Sequence, residues 1–314
     1  MHLVPTIAYM TNRRDPHFDW FLQSLERQCM PQHQQVIIVD FYADEPGRKE
    51  SVQELNHGFK ITHVTPKPSL WQGKHKITKG ECFDAGNARN TALCLAREMH
   101  IAWVDDVSVL TPNWYSRVLA ATARNAITLG SYRKVYNLEV ENGLVVDVTD
   151  NPIGHDVRRS HVRDLTKVTP CDPRWLFGCS LVAPVETMLD LGGWPEQLCA
   201  GTGYEDCVMA LVVRNNGIRT VFDPVMMTVE SEEAHHIDVP FLRWDPCKGD
   251  PNANPKDDKS HAMLRIGAGW KKTENGYDIR ELRNHVLLGG EFPVPTGPTT
   301  EWFTGTPLTE IQFS

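Results

Sequence analysis

Asp105 and Asp106 stand side by side directly after a short apolar run, Ile101–Val104. Adjacent carboxylates repel each other, and a bound divalent cation relieves that repulsion. The alternative is an acid pair in a surface turn, capping the helix that starts near Pro112. Two further stretches carry reactive groups. In GTGYED, Gly201–Asp206, Glu205 and Asp206 open a helical pattern. Acids there either complement the helix dipole or supply a general base for an attacking hydroxyl. In ESEEAHH, Glu230–His236, His235 or His236 could add an imidazole to an Mn2+ or Mg2+ already held by carboxylate. The alternative is two surface histidines beside an acidic cluster.

The elements that must position these groups alternate strand and helix. Ile101–Val104 is too short for a helix and is bounded by turn residues, so it reads as a buried strand. Ligands of open α/β sheets collect beyond the carboxyl ends of the strands, where both acids project. At the start, Val4–Met10 reads as a first strand, broken by Thr11-Asn12-Arg13-Arg14. Asp15 and Pro16 suit the cap and first turn of a helix, with Phe18, Phe21, Leu22 and Leu25 on one face. Val36–Val39 is a second buried strand ending at Asp40. Strand, helix, strand predicts a parallel sheet. No GxGxxG follows the first strand, which argues against a dinucleotide-binding Rossmann domain.

Lys60–Lys79 holds five lysines and two histidines with no acid. It reads as a loop, either phosphate-holding or simply solvated. A helix over Phe83–Met99 brings Asn87, Arg89 and Asn90 near the rim of the Ile101 strand. Asn142-Gly143 marks a turn, and Arg158, Arg159, His161 and Arg163 form a second basic cluster. Helices are expected over Pro184–Leu191, stopped by Gly192-Gly193, and over Cys207–Asn216, closed by Gly217. Strands are expected at Ile218–Phe222 and Met226–Val229. Beyond about Pro240 the texture changes to Pro, Asp, Asn and Lys, with helical patterns at His261–Lys272 and Asp278–Leu288. This predicts an appendage or lid over 241–314.

With 314 residues, 41% hydrophobic and 23% charged, the chain has ordinary globular composition. A net charge of −8 argues against a protein devoted to nucleic acid, although local basic patches could still serve one. No run reaches the length of a membrane span, and the opening residues lack a basic n-region, so neither a transmembrane segment nor a signal peptide is expected. The eight cysteines show no CxxC. Free thiols in a reducing compartment, and hence a cytoplasmic protein, are the expectation.

In order, TNRR after the first strand, VIIVD, ARN before a strand ending in Asp-Asp, FGCSLVAP, LGGWPEQL and GYEDCVMALVVRNNG resemble the GT-A-fold glycosyltransferases, particularly the family-2-like enzymes. The resemblance runs from about Val4 to His236. It implies a Rossmann-like α/β fold, a mostly parallel central sheet flanked by helices, with a C-terminal helical or loop extension. The nucleotide-sugar half would span about 1–110 and the acceptor half about 111–240. It further implies donor contacts from Thr11, Asn12, Arg13, Asp40, Asn87, Arg89, Asn90 and Asp105. Asp105, Asp106 and one of His235 and His236 would hold Mn2+ or Mg2+. Asp206, with Glu205 beside it, would be the base of an inverting transfer from a nucleoside-diphosphate sugar, most simply a UDP-sugar. Val107 stands where the last Asp of the usual Asp-x-Asp would be. The acceptor implied is a glycan or glycoside, with a hydroxymethylated base in DNA as the alternative. A non-catalytic nucleotide-sugar-binding module and a sugar-phosphate nucleotidyltransferase remain the rival classes.

Overall fold

The strand β1 (Thr6–Thr11) and the strand β2 (Gln35–Asp40) are buried at every position, as continuous apolar runs are in parallel sheets. The computed structural model describes residues 4–28, 30–31, 33–55, 58–68, 85–196, 205–236 and 277–293. By packing, the chain divides into two compact units. The first comprises Met1–Thr65, Ala96–Thr187 and Ile218–Val239, and the second comprises Pro66–Leu95, Met188–Gly217 and Pro240–Ser314.

The first unit holds the whole described sheet. Its further strands are β3 (Lys60–Val64), β4 (His100–Asp105), β5 (Ser108–Leu110), β6 (Ile127–Glu141), β7 (Leu144–His155), β8 (Thr169–Pro170), β9 (Ser180–Pro184) and β10 (Thr220–Ser231). The order is β3-β2-β1-β4-β9-β6-β10-β5, with β7 on β6 and β8 on β10. The block β3-β2-β1-β4 is parallel, as is the β6/β10 pair. The antiparallel β9 joins the two blocks. Helices α1 (Phe18–Glu26) and α4 (Trp114–Thr122) cover one face. There Phe21, Leu22, Leu25, Trp114 and Val118 pack on Ile7, Tyr9, Ile38 and Val104.

Three expectations are corrected. The first helix begins at Phe18, because Asp15 Oδ1 accepts from the His17 N–H (3.3 Å) and His17 is left-handed, with φ 52°. Lys60–Val64 is a strand paired in parallel with β2. As an edge strand it carries the charged residues that made it read as a loop. Residues 69–79 of that basic stretch lie outside the described residues. The two strands expected after Gly217 are one, β10, with a register shift between Asp223 and Met227. Pro224 in that interval has no N–H to give a ladder. By contrast Asn142 (φ 50°) and Gly143 (φ 72°) make the β6–β7 turn from two left-handed residues, as a two-residue hairpin turn demands.

In the second unit, α3 (Ala85–Leu95) packs against α6 (Glu205–Asn215) and α8 (Ile279–Leu287). The helix α3 ends at Leu95, short of the expected Met99. The C-terminal helix starts as its sequence proposes: the Asp278 carboxylate accepts from the N–H groups of Arg280 and Glu281. The His261–Lys272 pattern lies outside the described residues. The remaining helices are α2 (Arg48–Glu54), α5 (Val185–Asp190) and α7 (Glu232–His236).

Candidate active site

In the first unit the carboxyl ends of the parallel strands gather the acids. Asp105 is the last residue of β4, and its N–H donates to the Cys179 carbonyl (3.2 Å). Asp106 follows in the bend. Its Oδ2 accepts from the Thr11 hydroxyl (2.8 Å) and lies 2.9 Å from Arg13 Nε. Arg13 also donates to the Ala234 carbonyl (3.0 Å), tying the end of β1 to α7. Burial raises the Asp106 carboxyl above its ordinary range, against the pull of Arg13 and Thr11. Asn12 is buried beside them.

Val107, where the usual third position of the motif falls, is buried and left-handed, with φ 50°. For a β-branched residue this costs on the order of 1–3 kcal/mol. Two bonds hold it: its N–H donates to the Tyr9 hydroxyl (3.0 Å) and its carbonyl accepts from the Ser231 N–H (3.2 Å). The strained turn aims Asp105 and Asp106 from consecutive positions.

Glu230 on β10 joins this cluster, and the motifs did not single it out. It is buried, accepts from the Thr228 hydroxyl (3.0 Å), and has Lys134 Nζ only at 4.0 Å. Burial first, and then Asp105 and Asp106 against the pull of Lys134, push its carboxyl up to about 7. In ESEE, Glu230 is still on β10, whereas Glu232 and Glu233 open α7. A period of two counted along Met226–Ser231 would have been the available signal.

The shift has a measurable consequence. Native Glu230 keeps its proton up to about pH 7, whereas the unfolded chain releases it near 4.5. Stability therefore falls as pH rises through that window, by up to about 3 kcal/mol. Glu230→Gln should be more stable than wild type at pH 8 and gain little at pH 4.5, measured by denaturant unfolding. An equal gain at both pH values would contradict this.

Oxygen donors of this kind suit a hard divalent cation. Among the described residues no three His, Cys, Asp or Glu side chains are grouped as a ligand set. Asp106 commits one oxygen to Thr11 and Arg13. His235 and His236 end α7, and their side chains lie outside the described residues.

Asp40, at the end of β2, is fully buried. It accepts from Arg48 Nε (2.6 Å) and the Tyr42 N–H (2.9 Å), with His63 Nε2 at 3.0 Å. Burial opposes its ionisation, but His63 and Arg48 together hold the carboxyl below its ordinary range. Its contact with a donor base would have to share that set.

In the second unit the ARN segment is buried and its side chains have partners within the protein. Asn90 donates to the Trp194 carbonyl (2.8 Å) and Glu196 Oε1 (2.6 Å) and accepts from the Trp194 N–H (2.7 Å). Gly193 (φ +78°) is required beside it, since a Cβ there would lie 2.6 Å from Asn90 Oδ1. Asn87 donates to the Lys67 carbonyl (2.7 Å). Arg89 meets Glu205 Oε1 at 2.8 Å and lies over the Trp194 ring. Asn90 thus spends its amide on the turn, and the Arg89 guanidinium is paired with Glu205.

That pairing also separates the two acids of GYED. Glu205 is committed to Arg89, while the Asp206 carboxyl is pushed up to about 6, chiefly by burial and then by Glu205, with Arg89 opposing. Its own contact is short-range, accepting from the Cys207 N–H (2.7 Å). A half-buried carboxylate poised near neutral pH has the character of a general base. Of the segment FGCSLVAP, Ser180 is structural, its hydroxyl accepting from Trp114 Nε1 (3.0 Å).

This sheet, with acids at the carboxyl end of β4, has the GT-A fold. The solved structures that share it include GalNAc-T7 with UDP, GalNAc and Mn2+, at TM-score 0.56 and 12% identity over 84% of this chain and 49% of that one. Staphylococcus aureus TarS 1–349 aligns at TM-score 0.52 and 12% identity over 90% of this chain and 72% of that one. Its complex with UDP-GlcNAc gives 0.51 and 14% over the same shares, 90% and 72%. This chain thus spans about half the length of the GalNAc-T7 chain. At such identities the likeness establishes the fold. No family model matches the sequence, and no curated protein matches it. Among the described residues no helix is long and apolar enough to cross a membrane.

Proposed function

We propose that this protein is a metal-dependent glycosyltransferase, moving a hexose-type sugar from a nucleoside-diphosphate sugar, preferably a UDP-sugar, to an acceptor hydroxyl with inversion. The observation that carries the reading is the adjacent pair Asp105 and Asp106, set by the strained Val107 turn at the carboxyl end of β4 in a GT-A sheet. Structures of that fold with UDP, UDP-GlcNAc and Mn2+ support it.

In this reading Asp105 holds Mn2+ or Mg2+, with Asp106, His235 or His236 as further ligands. The cation, when bound, supplies charge to stabilise the departing diphosphate. Thr11 and Arg13 fix Asp106, and Asp40 and Asn12 are assigned to the donor's nucleoside. Asp206 takes the proton of the acceptor hydroxyl as its oxygen attacks the anomeric carbon. The bond to the diphosphate oxygen breaks in the same displacement, and the diphosphate leaves with the electron pair. A single displacement inverts the centre. Asn87, Arg89, Asn90 and Glu205 act as positioning residues. A cytoplasmic location is supported by the free thiols of Cys94, Cys171, Cys179 and Cys207.

The test is slow donor hydrolysis over a panel of UDP-, GDP- and TDP-sugars, with and without Mn2+. Release of free nucleoside diphosphate from one donor, dependent on metal and lost in Asp105→Asn, is the expected result. Absence of both release and binding with every donor would overturn the reading. Val107 in place of an acid favours a second reading, a nucleotide-sugar-binding module, for which binding without turnover on any acceptor is the expected outcome.

A further inference from the structure

A cavity of about 410 Å3 opens in the first unit, beside β8 and the start of β10. Phe222 is buried there, and the Arg158 guanidinium stacks between the Phe222 and Phe177 rings, 4.7 Å from each centroid. Arg158 is fully committed: it pairs with Asp156 (2.8 Å) and donates to the carbonyls of Gly130 (2.6 Å) and Trp175 (3.0 Å). One wall is the half-buried Trp175, with the His161 ring 5.4 Å away. The rim carries hydroxyl, carboxylate and cationic groups at Thr169, Asp172, Asp164, Lys167 and Arg163.

The charge pattern selects among ligands. Lys167 is paired with Asp164 (3.0 Å), and Asp172 is paired with Arg174 (2.8 Å). Arg158, which the sequence grouped with a basic edge, is buried with its own acid. A nucleic-acid backbone needs uncompensated cations, whereas this rim offers alternating donors and acceptors around an aromatic wall. That combination suits a ring with apolar C–H faces and a hydroxylated edge. Phe222 and Glu230 lie near opposite ends of β10, roughly 20–25 Å apart along an extended strand.

We propose that this cavity is a saccharide-binding site that grips an acceptor glycan several units long, with one sugar against Trp175 while a distant unit is modified. The inference rests on the glycosyltransferase reading for the purpose of the site, and on the cavity alone for its binding.

The test is tryptophan fluorescence and calorimetry with maltohexaose, mannohexaose, galactohexaose and chitohexaose, without donor or metal, and with duplex DNA as comparator. One hexasaccharide should bind, with the affinity falling at least tenfold in Trp175→Ala. Because the Trp175 carbonyl supports Arg158, the exposed Arg163→Ala serves as a second variant and should weaken the same ligand at least threefold. No binding of any hexasaccharide, binding unchanged in both variants, or salt-sensitive DNA binding that displaces the sugar would each overturn the proposal. Donor hydrolysis by the wild-type protein is read separately, so turnover without hexasaccharide binding would reject this site and leave the glycosyltransferase reading standing.

Discussion

Asp206→Asn should lower sugar transfer by about 10²- to 10⁴-fold, the contribution of a positioned general base, while donor binding stays within about twofold. The same variant should be more stable than wild type above pH 6. Native Asp206 holds its proton up to about 6, and the unfolded chain releases it near 3.8. Ionising it therefore costs up to about 3 kcal/mol of stability as pH rises through that window. Wild-type kcat/KM should climb with pH to a plateau above about 6. Glu205 raises the Asp206 carboxyl, so Glu205→Gln should move that acid limb to lower pH and preserve part of the activity. Full transfer by Asp206→Asn, with an unchanged pH profile, would remove Asp206 from the mechanism.

Lys67→Met should be among the most destabilising single changes in the second unit. Lys67 Nζ lies 2.7 Å from Glu196 Oε1, with side chains 1% and 0% exposed, and over the Tyr277 ring at 4.5 Å. Removing the lysine takes away the cation 2.7 Å from this buried carboxylate. Breaking such a pair costs about 3–5 kcal/mol, a large share of the roughly 5–15 kcal/mol that holds a typical domain. Adding Glu196→Gln should recover much of the loss, because the amide keeps an acceptor for Asn90 without the charge. A single-mutant cost below about 1 kcal/mol in denaturant melts would show that the pair is not a keystone of this unit.

Much of the sheet was legible in the chain. The Ile101 run ending in Asp105, and the VIIV run ending in Asp40, became β4 and β2 because an apolar run bounded by polar residues has few other solutions. Asn142-Gly143 and Asp278 were legible for a related reason: their conformational and capping preferences act locally. The edge strand β3 was not, since a strand with one free side tolerates the lysine and histidine of a loop.

The candidate site divides along the same line. Residue type and spacing determined that carboxylates would end β4 and open α6. Tertiary structure decided what each does. Arg89 reaches Glu205 from 116 residues away and thereby leaves Asp206 as the poised acid. Strand pairing sets Glu230 opposite Ser108, beside the turn that follows Asp105 and Asp106, while Glu232 opens α7. Arg158 and Arg163 look alike in sequence, yet one is a buried brace and the other a rim residue. The strand and turn signals depend on interactions within a few residues. Charge pairing and burial depend on which distant segments meet, and the sequence pattern does not encode that for any single residue.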